Sequence, residues 1–212
     1  MAEVAGGPGL TLGQAALLAG AYRWIELRLF ELTGSWAVEV PVPEVQVHLD
    51  QVSQQHAWHA ELWEERLPVL SGVDPASFVR PLGPAVEPLF AELAEGAVPD
   101  EDVDELAGGR GVVQRLAGLY RVATPRLLAS YDRHLARATP VADGPTIRAL
   151  RLVVADELAA WQQGECLLQG LLRRPHDAAA AAAACERLES LVVASGAGPG
   201  LVPWPDGEGP GA

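Results

Sequence analysis

Apolar residues return every three or four positions along most of the chain, the spacing that places them on one face of an α-helix. Strand-like alternation of apolar and polar residues is rare. The periodicity therefore predicts an all-α protein with five long helices, over about residues 11–36, 44–66, 111–138, 145–172 and 177–194.

The predicted helices are joined by connections of two lengths. About seven residues join the first helix to the second and the third to the fourth, whereas a crossover at 67–110, with a short helix near 85–95, joins the second to the third. This is the connectivity of a four-helix bundle with one long crossover, here with an extra C-terminal helix. The domain prediction is a flexible lead at 1–10, a bundle domain at 11–194 and a disordered tail at 195–212.

Ionisable residues interrupt apolar stripes of three predicted helices. Glu26 lies near the middle of the first helix and Glu157 near the middle of the fourth. His56 and His59 lie near the middle of the second, three residues apart and so on one face. A lone buried carboxylate or imidazole costs several kcal/mol unless it is paired or binds a metal. We therefore expect these four side chains to converge in the core.

The third predicted helix adds two polar residues to its inner stripe. Tyr131 and His134 lie three residues apart there, and both residue types can transfer protons, so they are the candidate catalytic residues. The remaining two histidines, His48 and His176, are predicted to be exposed.

The four inward residues resemble the ligand set of the ferritin-like superfamily of carboxylate-bridged di-iron bundles. That set is one Glu from each of two helices and Glu-x-x-His from each of the other two. Glu26 matches the first-helix Glu, and His59 matches a family His, with His56 in the place of its Glu. Glu157 matches another Glu, but Ala160 stands where its His belongs. The resemblance implies a ferritin-like bundle with a degenerate metal site.

Three interpretations of this site stay open. The resemblance implies a di-iron centre, which relies on bridging carboxylates. A single Fe, Mn or Zn ion suits two imidazoles and two carboxylates, with Glu26, His56, His59 and Glu157 as ligands. A metal-free network would pair each imidazole with a carboxylate, with Tyr131 as a donor.

These interpretations lead to two classes of function. The first is an enzyme that acts on a small organic molecule in the bundle core, by metal-assisted oxidation or by acid–base chemistry. The second is a non-catalytic helical interaction or structural protein with a relic metal site.

Composition and charge limit the classes of partner that the protein is expected to bind. The 212 residues include 28 acidic and 15 basic residues, every basic one an arginine, for a formal net charge of −13. This charge argues against nucleic acid or an anionic membrane surface as the main partner. The chain has no secretory-signal pattern and no run of about 18 apolar residues, so a cytoplasmic protein is expected. A small-molecule substrate is the expected partner, and a homodimer stays open.

Overall fold

The computed structural model describes residues 10–95 and 109–205. Within these two ranges the protein is all-α, as predicted, and the pairing of Leu70 with Val73 is an isolated bridge outside any strand. The predicted helix ends agree with the structure to within about three residues. The helices are α1 (Leu12–Glu39), α2 (Pro43–Glu64), α3 (Val86–Glu95), α4 (Gly109–Gly118), α5 (Thr124–Arg137), α6 (Gly144–Leu171) and α7 (Pro175–Ala194).

Local sequence explains where the first two helices begin. Thr11 and Gln14 form a capping box in which each side chain accepts a hydrogen bond from the other residue's backbone N–H, at 3.2 and 2.9 Å. Pro43 opens α2, where the missing N–H costs nothing because the first helical N–H groups have no partner within the helix. The capping box and the proline fix where α1 and α2 begin, and these two helices carry three of the four inward residues.

A π-helical turn joins α4 to α5. The sequence predicts a kink at Pro125, and the turn spans Leu119–Ala123, which ends two residues before that proline. The proline ring excludes an ordinary i−4 hydrogen bond, and a wider turn accommodates it. The Tyr120 carbonyl in this turn accepts a hydrogen bond from Trp161 Nε1 at 2.6 Å. The turn therefore ties α5 to α6.

The helices enclose a core of large side chains. α1 and α2 pack closely along their length, and Ser53 Oγ on α2 donates to the Phe30 carbonyl on α1 at 3.0 Å. The largest fully buried side chains include Trp36, Trp63, Tyr22, Tyr120 and Tyr131. No helix in the described part of the chain is long and apolar enough to cross a membrane.

The segment after α7 differs from the predicted disordered tail. Leu201 and Val202 are buried, and their backbone N–H groups donate to the Arg126 carbonyl and to Ser130 Oγ, both at 3.0 Å. High Gly and Pro content favours disorder, but apolar side chains within this segment bury themselves against α5. The rest of the tail, 206–212, lies outside the described residues.

Two other sequence-based predictions fall beyond the described ranges. Residues 1–9 of the predicted N-terminal lead at 1–10 lie outside the described ranges, and so does the acidic part of the crossover, within 96–108. Both stay predictions.

Candidate metal centre

Four side chains form a buried cluster in the core, and this cluster can hold a metal ion. Glu26 and His59 are 0% exposed, His56 is 2% and Glu157 is 3% exposed. One donor atom from each residue lies within 4.8 Å of the donor atoms of the other three. α1 supplies Glu26, α6 supplies Glu157, and α2 supplies both histidines from one face. The expected convergence is confirmed in the structure.

The spacing of the donor atoms suits one ion. His56 Nδ1 lies 2.7 Å from Glu26 Oε2 and 3.2 Å from Glu157 Oε1. His59 Nδ1 lies 3.6 and 3.3 Å from the same two oxygens. A tetrahedral ion with bonds near 2.0–2.1 Å has donors about 3.3 Å apart. Three of the four distances are close to that value, and the shortest would lengthen by about 0.6 Å around an ion.

Two further side chains contact the cluster from outside. The Tyr131 hydroxyl donates to Glu26 Oε1 at 2.5 Å, which leaves Oε2 facing the histidines. Asp156 Oδ2 lies 3.3 Å from His59 Nε2, and its side chain is 32% exposed. Metal-binding histidines commonly donate their second ring N–H to a carboxylate in this way, which fixes the ring orientation and the tautomer. Tyr131 and Asp156 are therefore placed to orient two of the four donors.

The Nδ1 atom of His59 gives more specific support for a bound ion. His59 Nδ1 is buried and makes no hydrogen bond, although it lies near two carboxylate oxygens. With Nε2–H donated to Asp156, the Nδ1 side of the ring faces Glu26 Oε2 and Glu157 Oε1, at 3.6 and 3.3 Å. A metal ion that replaces the Nδ1 proton would bind this nitrogen and both oxygens together, whereas the proton makes no well-aligned hydrogen bond to either oxygen.

Positive and negative charges balance each other in the metal-free cluster. Burial alone would lower the pKa of both histidines, but the carboxylates of Glu157 and Glu26 raise the pKa of His56 to about 9 and that of His59 to about 11. Burial would raise the pKa of Glu26, but the two histidines outweigh it and lower that pKa to about 2. The pKa of Glu157 is also lowered, because His56 and His59 outweigh its burial. At neutral pH two imidazolium groups thus face two carboxylates.

The two candidate catalytic residues lie in different surroundings. Tyr131 contacts the cluster, and burial together with the Glu26 charge raises its pKa well above the usual value, so it stays a protonated donor. The His134 ring instead packs against Tyr22 and Trp204, with ring centroids 5.8 and 5.6 Å away. Burial lowers the pKa of His134 to about 4, so it is neutral. The structure brings Tyr131, but not His134, to the cluster.

Sequence reasoning missed two residues. Asp156 is one of them, because nothing in the helical period predicts that this position at the edge of the apolar face reaches His59. Sequence reasoning also predicts an exposed His48, which is wrong, because His48 is 1% exposed and its Nε2 lies 2.6 Å from Tyr120 Oη. His48 follows Val45 by three residues, so the stripe itself carried the signal.

Comparison of the chain with protein-family models, with curated proteins and with solved structures found no match. The assignment of this centre therefore rests on the geometry and chemistry of its own side chains.

Proposed function

We propose that the protein binds a single transition-metal ion through Glu26, His56, His59 and Glu157 inside a ferritin-like four-helix bundle with a degenerate site. The observation that carries this proposal is the convergence of four buried donor atoms within 4.8 Å of one another, in which His59 Nδ1 faces two carboxylate oxygens while Asp156 lies against the other ring nitrogen. The ligand set favours one ion over two, because only two inward carboxylates are available to balance the cations.

The bundle topology supports the proposal. The connections between α1 and α2 and between α5 and α6 are short, whereas a long crossover leads from α2 to α4. Each of the four bundle helices contributes a side chain at the same depth, the third of them through Tyr131. This is the arrangement in which ferritin-like bundles build metal sites between facing helices.

The donor chemistry favours Fe, Mn or Zn. Two imidazoles and two carboxylates suit all three ions, and the cluster has no thiolate. Four protein donors complete the coordination of a tetrahedral zinc ion, but they leave two positions open on a six-coordinate iron or manganese ion. A bound Fe or Mn ion would supply one-electron redox chemistry toward a small organic substrate. The enzyme proposal, metal-assisted oxidation, therefore requires one of these two ions.

The chain's own residues prepare the site for that role. Tyr131 stays protonated and holds Glu26 Oε1, so it fixes which oxygen of this carboxylate faces the ion. Asp156 holds the His59 ring and is itself partly exposed, which makes it the contact between the buried centre and solvent. Both residues position donors, and neither is assigned a bond-making step.

Thermal unfolding with and without metal tests the binding proposal. An ion that binds only the folded state raises the unfolding temperature, and the increase grows with ion concentration. We expect the wild type to be stabilised by Zn²⁺, Mn²⁺ or Fe²⁺ and this stabilisation to disappear in His59→Ala. His176→Ala is the matched control, because His176 is exposed and lies outside the cluster. A wild type that no transition metal stabilises would contradict the proposal.

Nitric oxide tests whether an open coordination position exists. Ferrous protein with an open position forms a nitrosyl complex with a characteristic half-integer-spin EPR signal. We expect this signal in the wild type and not in His59→Ala. Ferrous protein that gives no such signal has a closed site, and the oxidation proposal would then fail while metal binding stands.

The 2.7 Å contact between His56 and Glu26 favours a second candidate, a metal-free network in a non-catalytic structural or interaction protein. Two imidazolium groups and two carboxylates already balance each other, so the network can fix the helix register without an ion. Removing one member of a buried ion pair costs about 3–5 kcal/mol, because the partner stays buried without a counter-charge. This candidate predicts that Glu26→Gln destabilises the protein while added metal changes the stability of neither form.

A further inference from the structure

A cavity separate from the metal centre lies where the C-terminal segment packs on the bundle. It has a volume of about 300 Å³ and is bounded by α5, by the loop at residues 83–85 and by the segment after α7. Its polar lining includes the side chains of Arg133 and Arg137, and Trp204 lies beside them. None of the four metal-centre donors lines it, so this cavity is a separate site.

The two arginines of this cavity have no acidic partner. Within residues 10–95 and 109–205, no carboxylate oxygen lies within the 4.0 Å ion-pair distance of either Arg133 or Arg137. Other arginines on these helices are paired, among them Arg121 with Glu165 at 2.7 Å. Arg133 differs from exposed arginines such as Arg148 because it is half-buried beside the cavity.

The surroundings of the arginines hold them in place. Arg133 Nη2 donates to the Val202 carbonyl, while its Nε is buried and has no hydrogen-bond partner. The Arg137 guanidinium lies 4.7 Å from the centroid of the Trp204 ring, within the range of a cation–π contact. The two guanidinium groups are thus oriented by carbonyl and ring contacts that leave their charges without a counter-ion.

The chemistry of the lining defines the ligand class. A guanidinium fork matches the two oxygens of a carboxylate or a phosphate, and charge-assisted bonds of this kind are strong. Leu201, Pro203 and Ala85 give the cavity apolar walls. Its volume is at the lower end of the range of small-molecule sites, about 300–1,000 Å³. A ligand here would be small, with a charged end and an apolar body.

We propose that this cavity binds a small organic anion, whose carboxylate or phosphate contacts Arg133 and Arg137 and whose apolar body lies against Leu201 and Pro203. Such a ligand bridges α5 and the C-terminal segment and so holds that segment on the bundle. The proposal is independent of the metal centre, because no residue is shared between the two sites.

Isothermal titration of the full chain tests the proposal with three probes. Benzoate represents a carboxylate with an apolar body, inorganic phosphate represents the bare phosphate oxyanion, and benzamide is the neutral match of benzoate. We expect millimolar or tighter binding of at least one of the two anions. Benzamide should bind at least about tenfold more weakly than benzoate, because it lacks the charge.

Two glutamine variants assign the binding to the cavity. Arg137 is exposed, so Arg137→Gln removes one charge without opening the core, and we expect about a tenfold or greater loss of anion affinity. Arg148→Gln makes the same charge change at an exposed position of α6 and should leave the affinity unchanged. Circular dichroism melts of both variants check that the fold persists.

The outcomes separate clearly. Binding of one or both anions that is lost in Arg137→Gln and kept in Arg148→Gln supports the site, and the stronger probe identifies carboxylate or phosphate as the ligand chemistry. No heat from either anion in the wild type would overturn the proposal. Equal losses in the two variants would also overturn it, because they would trace the binding to net charge alone.

Discussion

Metal binding at the Glu26–His56–His59–Glu157 cluster should release about two protons per ion near neutral pH. In the metal-free protein the pKa of His56 is about 9 and that of His59 about 11, so both imidazoles carry a proton at pH 7. Each must lose its Nδ1 proton to bind an ion through that nitrogen. One divalent ion then replaces two protons, and the charge of the cluster is unchanged.

The size of the pH dependence of metal affinity follows from this exchange of two protons for one ion. Two protons released per ion make the apparent dissociation constant fall about 100-fold for each unit of pH, or about 2.7 kcal/mol, while both histidines start protonated. This slope should hold from about pH 7 to 8 and should become shallower above about pH 9, where His56 is already neutral.

Calorimetric titration with Zn²⁺ in buffers of different ionisation enthalpy measures the number of protons directly. The apparent heat changes linearly with the buffer's ionisation enthalpy, and the slope is the proton number. We expect a slope near two and the steep pH dependence together. A slope near zero would refute the reasoning, because it would show that the imidazoles are neutral before the ion binds.

Protonation of the cluster side chains also sets how the free energy of unfolding of the metal-free protein depends on pH. The raised pKa of His56 contributes stability that is fully present below about pH 6.5 and is lost as the pH rises through about 9. The lowered pKa of Glu26 contributes stability above about pH 4.5 that is lost as the pH falls toward about 2. Burial lowers the pKa of His48 and His134 to about 4, so keeping these two histidines neutral costs stability as the pH falls below about 6.5. Metal-free protein should therefore be most stable near pH 6.5 in urea unfolding. A stability that rises steadily from pH 6 to 9 would contradict this assignment.

Two further substitutions test contacts around the centre. Asp156→Asn should weaken metal binding by about 10–100-fold, because it weakens the acceptor that holds His59, while Asp132→Asn at an exposed position of α5 should not. Equal metal affinities in the two variants would count against the positioning role. Gly164→Ala should lower the free energy of unfolding by about 1–3 kcal/mol, because its Cβ would lie 2.2 Å from the Tyr120 ring. Gly170→Ala meets no atom within 4 Å and should be neutral or stabilising in the same unfolding assay, so a similar loss in both would refute the packing argument.

The helices and the centre were predictable because both follow from one periodicity. A helix that packs on one face must repeat its apolar residues every three to four positions. The same pattern therefore predicts both where the helix ends and which of its positions face inward. Glu26, His56, His59 and Glu157 were visible as polar exceptions on stripes that otherwise avoid water. Their convergence required only that the three helices that carry them pack against one another at the same depth.

Other features depend on contacts that no single helix encodes. The docking of the C-terminal segment depends on Leu201 and Val202 finding a groove on α5, which the local Gly and Pro content does not reveal. Asp156 lies at the edge of its stripe, so its contact with His59 depends on the distance and rotation between α2 and α6. The π-helical turn before Pro125 similarly depends on how the wider turn fits against Trp161 on the neighbouring helix.

Elemental analysis of reconstituted protein tests the central claim most directly. The metal-free chain is incubated with Fe²⁺, Mn²⁺ or Zn²⁺, freed of unbound ion by gel filtration, and analysed for metal per chain, with His59→Ala and His176→Ala treated in parallel. A mononuclear centre predicts about one equivalent in the wild type and in His176→Ala, and less than about a tenth in His59→Ala. Two equivalents in the wild type would show a dinuclear centre, and less than about a tenth of an equivalent of every ion would show that the cluster is a metal-free network.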